Sequence, residues 1–141
     1  MKINFFFEEV LKPKIKISEV RKWISKIIGI HNKKISEVNF IFCNNEYLLK
    51  INQEYLGHDY FTDVITFDYS EKNELNGEIY ISTEMVVENA IEYHTQDTEI
   101  YRVIIHGILH LIGFNDKTEK EQKTMREKEN QALEILKHGE F

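Results

Sequence analysis

Cysteine is almost absent from this chain. Cys43 stands alone, so no internal disulfide can form, and a reducing compartment is expected. No apolar run approaches the ~20 residues that a membrane-spanning helix needs. The opening stretch from Met1 to Glu9 is too short in apolar residues for a secretory signal and reads as a strand. Repeats, low-complexity tracts and linkers are missing as well, which leaves a single domain, residues 1–141, as the expected unit. These absences point to a cytoplasmic protein with no membrane partner.

Positive charge is also scarce: 18 Lys and Arg face 24 Asp and Glu, for a formal net charge of −6, and only three of the cations are arginine. No DNA partner is expected from such a balance. The charge is unevenly distributed, however. Residues 1–34 carry nine Lys/Arg against three Asp/Glu, whereas residues 35–141 carry nine against twenty-one. Lys22 and Lys26 lie in the basic part, on the polar side of its helix. They are either part of a local phosphate-contacting surface or one solvated helix face.

What is present follows the order strand, helix, strand, helix, two strands, three helices. Lys2 to Glu8 reads as a strand, and Ser18 as the N-cap of a helix to about Gly29, with Val20, Trp23, Ile24, Ile27 and Ile28 on one side. Alternation marks a strand over Ile35 to Cys43, and Asn44 or Asn45 caps the next helix. Asp63 to Tyr69 and Glu78 to Ser82 are β-branched and aromatic, and a polar loop with Asn73, Asn76 and Gly77 joins them as a hairpin. Helices then open at Ser82 or Thr83, at Asp97 or Thr98, and at the capping box Thr118-Glu119-Lys120-Glu121. The pattern predicts an α/β (α+β) fold: a small mixed four-stranded sheet packed with about five helices in a single domain, one helix being a zincin-like metal helix.

That helix holds the most informative run, His106-Gly107-Ile108-Leu109-His110-Leu111-Ile112-Gly113-Phe114-Asn115-Asp116. At 3.6 residues per turn, His106 and His110 stand one above the other and can converge on one ion. Gly113 can take a left-handed conformation and turn the chain back, so that Asp116 arrives as a third ligand. Three protein ligands would leave a fourth position open, as catalytic zinc sites do. In HExxH proteases a Glu beside the first His moves the proton. Here that position is Gly107, which counts against peptide hydrolysis. Arg102, four residues before His106, shares the histidine face and either meets a substrate phosphate or pairs with Glu99 or another carboxylate.

The motif His106-Gly107-x-Leu109-His110-Leu111-x-Gly113-Phe114 resembles the HGxLHLxGYDH signature of the YbeY family of metal-dependent endoribonucleases. Ile51-Asn52-x-x-Tyr55 with Thr62 to Phe67, Gly77 to Ser82, and Met125 to Glu129 resemble further segments of the same family, in the same order. The resemblance implies a zinc-dependent, single-strand-specific endoribonuclease that matures the 3′ end of 16S-type small-subunit ribosomal RNA and serves ribosome quality control. Its partners would be ribosomal and single-stranded RNA, with the ribosome or small-subunit proteins. It carries over His106, His110 and Asp116 as metal ligands, with His106 and His110 in catalysis and Asp63 orienting a ligand or water at the substrate. Because Leu56 stands where the family has an arginine, Arg102 in catalysis and His58, Lys22 and Lys26 at the substrate are the candidates for holding phosphate. Asp63 has a second reading, a carboxylate closing the turn before a strand, and Glu129 is either a group behind the ligands or a rim salt bridge.

Three departures stand out. Asp116 replaces the family's third histidine, which makes the centre one unit less positive. Leu56 replaces the family's arginine after Tyr55, and Phe61 replaces a proline. Two other functions stay open to these residues: a ribosome-assembly or RNA-binding factor with a mainly structural metal, and, less favoured because of Gly107, a small metalloprotease.

Overall fold

The computed structural model describes residues 2–141. Four strands, β1 (Lys2–Phe7), β2 (Lys34–Cys43), β3 (Val64–Asp68) and β4 (Glu74–Ser82), form one mixed sheet in the order β1-β2-β4-β3. β1 and β4 run parallel to β2, and β3 closes an antiparallel hairpin with β4. Five helices surround it: α1 (Ile17–Ile30), α2 (Asn45–Leu56), α3 (Thr83–Tyr93), α4 (Glu99–Ile112) and α5 (Glu119–His138). The expected α+β architecture is the observed one.

Strand alternation divides the sheet into two faces. Ile3, Val38, Phe40, Phe42, Leu75, Ile79 and Ile81 look toward α1, α4 and α5 and form the main core. Phe5 stacks on Phe40, and Phe7 on Phe42, across the β1–β2 pair. The opposite face is smaller: Cys43 and Ile65 meet Leu48 of α2, with Phe67 and Tyr80 at the margin. α1 is tied to α5 by the buried Trp23 indole, which donates to the Ala132 carbonyl at 2.8 Å.

α4 is the central element, packed against β3, β4, α1, α3 and α5. It comes closest to the sheet at Gly107, where an added Cβ would lie 2.7 Å from Ile79 Cγ2 and 2.8 Å from Ile79 Cδ1. A side chain there would push the helix off β4. The missing protease base is therefore also a packing requirement: position 107 faces the sheet and not the histidine side.

Local caps agree with expectation at three starts. Asn44 accepts from the Tyr47 N–H, Ser82 from the Met85 N–H, and Thr118 and Glu121 make a reciprocal capping box. Ser18 does not cap α1. The helix begins at Ile17 after Lys16, with no side-chain cap, because Ile15 and Ile17 pack into or against the core and fix the entry of the chain. The loop expected before Glu78 is shorter than predicted. Residues from Glu74 onward pair with β2, and Gly77 sits where a Cβ would meet the Phe67 carbonyl at 2.5 Å and Leu111 Cδ2 at 2.8 Å.

Gly107→Ala is expected to lower stability despite the roughly 1 kcal/mol that Ala adds to helix propensity, since overpacking costs about 1–3 kcal/mol. Urea unfolding would check this. Ile79→Val in the same chain should recover part of the loss, and additive effects of the two changes would contradict the contact.

Candidate metal centre

α4 turns its histidines away from the sheet, toward a cleft bounded by β3 and α5. His106 and His110 stand one turn apart, with their Nε2 atoms 3.0 Å from each other. The helix then stops in a Schellman-type turn. The Phe114 N–H donates to the Leu109 carbonyl, and the Gly113 N–H to the His110 carbonyl. Gly113 has φ of 123°, which an L side chain rarely adopts. The reversal carries Asp116 back over the histidines, with Oδ2 at 3.2 Å from His106 Nε2 and 3.3 Å from His110 Nε2.

Three donor atoms thus form a nearly equilateral triangle. Bonds of about 2.0 Å in tetrahedral coordination require donors about 3.3 Å apart, so the triangle matches one face of such a site. The donor chemistry agrees, with two imidazole nitrogens and one carboxylate oxygen. His106, His110 and Asp116 can hold a metal ion.

Glu129 supports this triangle from α5. Its Oε2 accepts from His106 Nδ1 at 2.7 Å, and its Oε1 accepts from Arg102 Nη1 at 2.8 Å. A carboxylate cannot donate, so the Nδ1 proton is fixed and the Nε2 lone pair of neutral His106 faces the triangle. Burial alone would raise Glu129, but the hydrogen bonds from His106 and Arg102 outweigh it and hold it below the ordinary carboxylate range. Burial would likewise lower His106. The hydrogen bond and charge of Glu129, with Asp116 and Asp63, prevail and raise it. His110 goes the other way, lowered by burial and by the charge of His106 against the pull of Asp116.

Asp63 stands at the start of β3, where Asn89 Nδ2 donates to its Oδ2 at 3.2 Å and its own carbonyl accepts from the Ser82 N–H. Burial raises its carboxyl, opposed chiefly by the charge of His106. The cleft over the histidines, about 380 Å³, is lined on the strand side by Thr62, Asp63, Val64, Thr66 and Asp68. Alternation in β3 explains this set: Val64, Thr66 and Asp68 share the face opposite Ile65 and Phe67. Thr66 and Asp68 were legible from that period but were not singled out in the sequence. Nor were Asn89 and Asn130, which have no local signature.

The expected site residues fall into two groups. His106, His110, Asp116, Asp63 and Arg102 surround connected clefts. Arg102 is engaged on both sides, by Glu129 and by Asn130 Oδ1 at 2.9 Å, while Glu99 accepts from Thr95. His58 lies apart in the α2–β3 loop, its ring stacked on Tyr60 and its Nδ1 3.0 Å from the Tyr60 hydroxyl. Lys22 and Lys26 are exposed on α1. None of these three lines a cleft that His106 opens on.

The sequence model of one family, described as Endoribonuclease YbeY, matches residues 7–137. Among curated proteins, the chain is similar to the "Endoribonuclease YbeY" of Christiangramia forsetii, 52% identical over 95% of this chain and 94% of that one. It is also similar to the protein of the same name from Parabacteroides distasonis, at 45% identity over 96% of each chain. Among solved structures, it is similar to the solution structure of the Thermotoga maritima protein TM1509, with a TM-score of 0.70 and 29% identity over 96% of this chain and 89% of that one.

Two outcomes are expected at this centre. Glu129→Gln should weaken metal affinity by about ten- to a hundredfold, as measured by titration against a competing chelator. Protons compete with metal for His106 Nε2, so affinity should fall as pH drops through the raised His106 value. In Glu129→Gln the fall should move to lower pH, because the group that lifts His106 is gone. An unmoved profile would show that Glu129 does not tune the ligand.

Proposed function

This chain belongs to the YbeY endoribonuclease family, and from that premise we propose that it is a zinc-dependent endoribonuclease that cuts single-stranded RNA. Its cellular task on this reading is maturation of the 3′ end of small-subunit ribosomal RNA and ribosome quality control, with ribosomal particles as partners. The observation that carries the proposal is the convergence of His106 Nε2, His110 Nε2 and Asp116 Oδ2 at the floor of an open cleft.

His106, His110 and Asp116 would hold the ion, zinc on this reading, and the same two imidazoles and carboxylate also suit another divalent metal. A bound divalent ion supplies Lewis-acid stabilisation of the charge that develops on phosphate oxygens. The residues around it do the rest. Glu129 keeps the His106 ring in one tautomer and orientation. Asp63, a cleft carboxyl raised by burial, accepts the proton of the attacking hydroxyl and so takes the role that Gly107 cannot fill. Asn89 holds Asp63 in position. The oxygen–phosphorus bond forms as the bond to the leaving ribose oxygen breaks, and that oxygen takes up a proton from solvent water to leave as a hydroxyl. Attack by water leaves a linear phosphate, and attack by a 2′-hydroxyl leaves a cyclic one, so the product ends identify the nucleophile. Lys22, Lys26 and His58, outside the clefts, serve RNA segments remote from the cut.

The test is cleavage of single-stranded and ribosomal RNA by metal-loaded protein beside chelated protein and His110→Ala, with folding checked by circular dichroism. Cleavage should be lost in both controls and restored to the chelated sample by zinc. Asp63→Asn should lower kcat by about 10²–10⁴-fold. A folded, metal-replete protein that binds ribosomal particles but cuts no RNA would point instead to an assembly factor.

A further inference from the structure

The position at which the family resemblance calls for an arginine holds Leu56, 44% exposed at the end of α2. It lines none of the clefts around the ligand triangle. A phosphodiester brought to those clefts still has to be held by a cation, and the chain has only three arginines. Arg21 donates from Nε to the Ile3 carbonyl and lies over the Phe5 ring. Arg102, 17% exposed, spends both ends of its guanidinium on Glu129 and Asn130. Arg126 differs from both: it is 62% exposed, and its Nη1 is 3.7 Å from Glu129 Oε1, too far for a hydrogen bond.

Arg126 is also well placed. It precedes Glu129 by almost one turn of α5 and lines two clefts, each of which also contains His106 and Asp116. Lys123, three residues earlier on the same helix face, lines the second of these. The facing wall carries Asp63 and Asp68 beside Asp116, with no cation among the described residues that line it. The cleft is therefore polarised. The β3 side repels a phosphate, whereas on the α5 side Arg126 and Lys123 stand against Glu119 and Asp116, Glu129 being already paired with Arg102 and His106.

We propose that Arg126, assisted by Lys123, binds the RNA phosphate lying against the ligand triangle and takes over the role that Leu56 cannot perform. The inference rests on the endoribonuclease reading above. A guanidinium suits this task because its planar fork can grip two phosphate oxygens at once. The long contact to Glu129 leaves that fork open. Arg102 and His106 already occupy the two oxygens of Glu129, so that carboxylate is held without a hydrogen bond from Arg126.

Two measurements on the full chain test this. Binding of a fluorescently labelled single-stranded RNA is followed by anisotropy in excess chelator across salt concentrations, and cleavage kinetics are measured with metal restored. Arg126→Ala should flatten the slope of log affinity against log salt by about 0.7, the loss of one phosphate contact on a single strand. It should lower kcat/KM by about ten- to a hundredfold and leave metal affinity unchanged. Arg126→Lys should keep the slope but recover only part of kcat/KM. An unchanged slope and unchanged kcat/KM in Arg126→Ala would overturn the proposal while leaving the nuclease reading intact. A parallel loss of metal affinity would overturn it too, by assigning the effect to Glu129. A flattened slope in a protein that binds RNA without ever cutting it would overturn the nuclease reading and keep Arg126 as a phosphate contact.

Discussion

The close seating of α4 on β4 is the constraint on which the remaining geometry depends. Gly107 touches Ile79 with no room for a Cβ, and Leu111 covers Gly77 one turn later. Two glycines, one on the helix and one on the strand, bring backbones together that side chains would hold apart. Once α4 lies at this depth, its orientation about its own axis is set by the buried Ile104, Ile108 and Leu111. His106 and His110 must then face the cleft. β3 and α5, which flank the same helix, bring Asp63 and Glu129 to it from either side.

Glu129 is a buried carboxylate, and a buried charge is costly unless it is paired and hydrogen-bonded. Here both oxygens are used, one by Arg102 and one by His106. The arrangement makes Arg102 a structural counter-charge, so its position four residues before His106 reflects support of the centre from below. It also divides the labour between the two ends of the His106 ring: Nδ1 is committed to the protein, and Nε2 is left for the cleft.

The sequence was most legible where the determinants are local. The i, i+4 histidines, the turn at Gly113 and the returning Asp116 all lie within one short segment, and the structure brings their donor atoms together. The capping residues Asn44, Ser82 and Thr118 were readable for the same reason. Legibility failed where a distant partner decides. Asn76 and Gly77 look like loop residues, but pairing with β2 and the cover of Leu111 draw them into β4. Ser18 looks like a cap, but the packing of Ile15 and Ile17 moves the start of α1. Arg102 could be matched to its carboxylate only once α5 was placed against α4, because Glu129 is 27 residues away.

The ligands and their supports differ in one further respect. All three donors come from residues 106–116, whereas Glu129, Asp63 and Asn89 are delivered by other elements. An unfolded chain therefore still carries two histidines and a carboxylate close enough along the backbone to share an ion, though without the groups that orient them. Binding to the denatured ensemble offsets part of the stabilisation that ligand binding to the native state confers. An ion bound there would thus raise the melting temperature by less than its native-state affinity alone implies, and thermal shift would under-report how tightly such a centre binds.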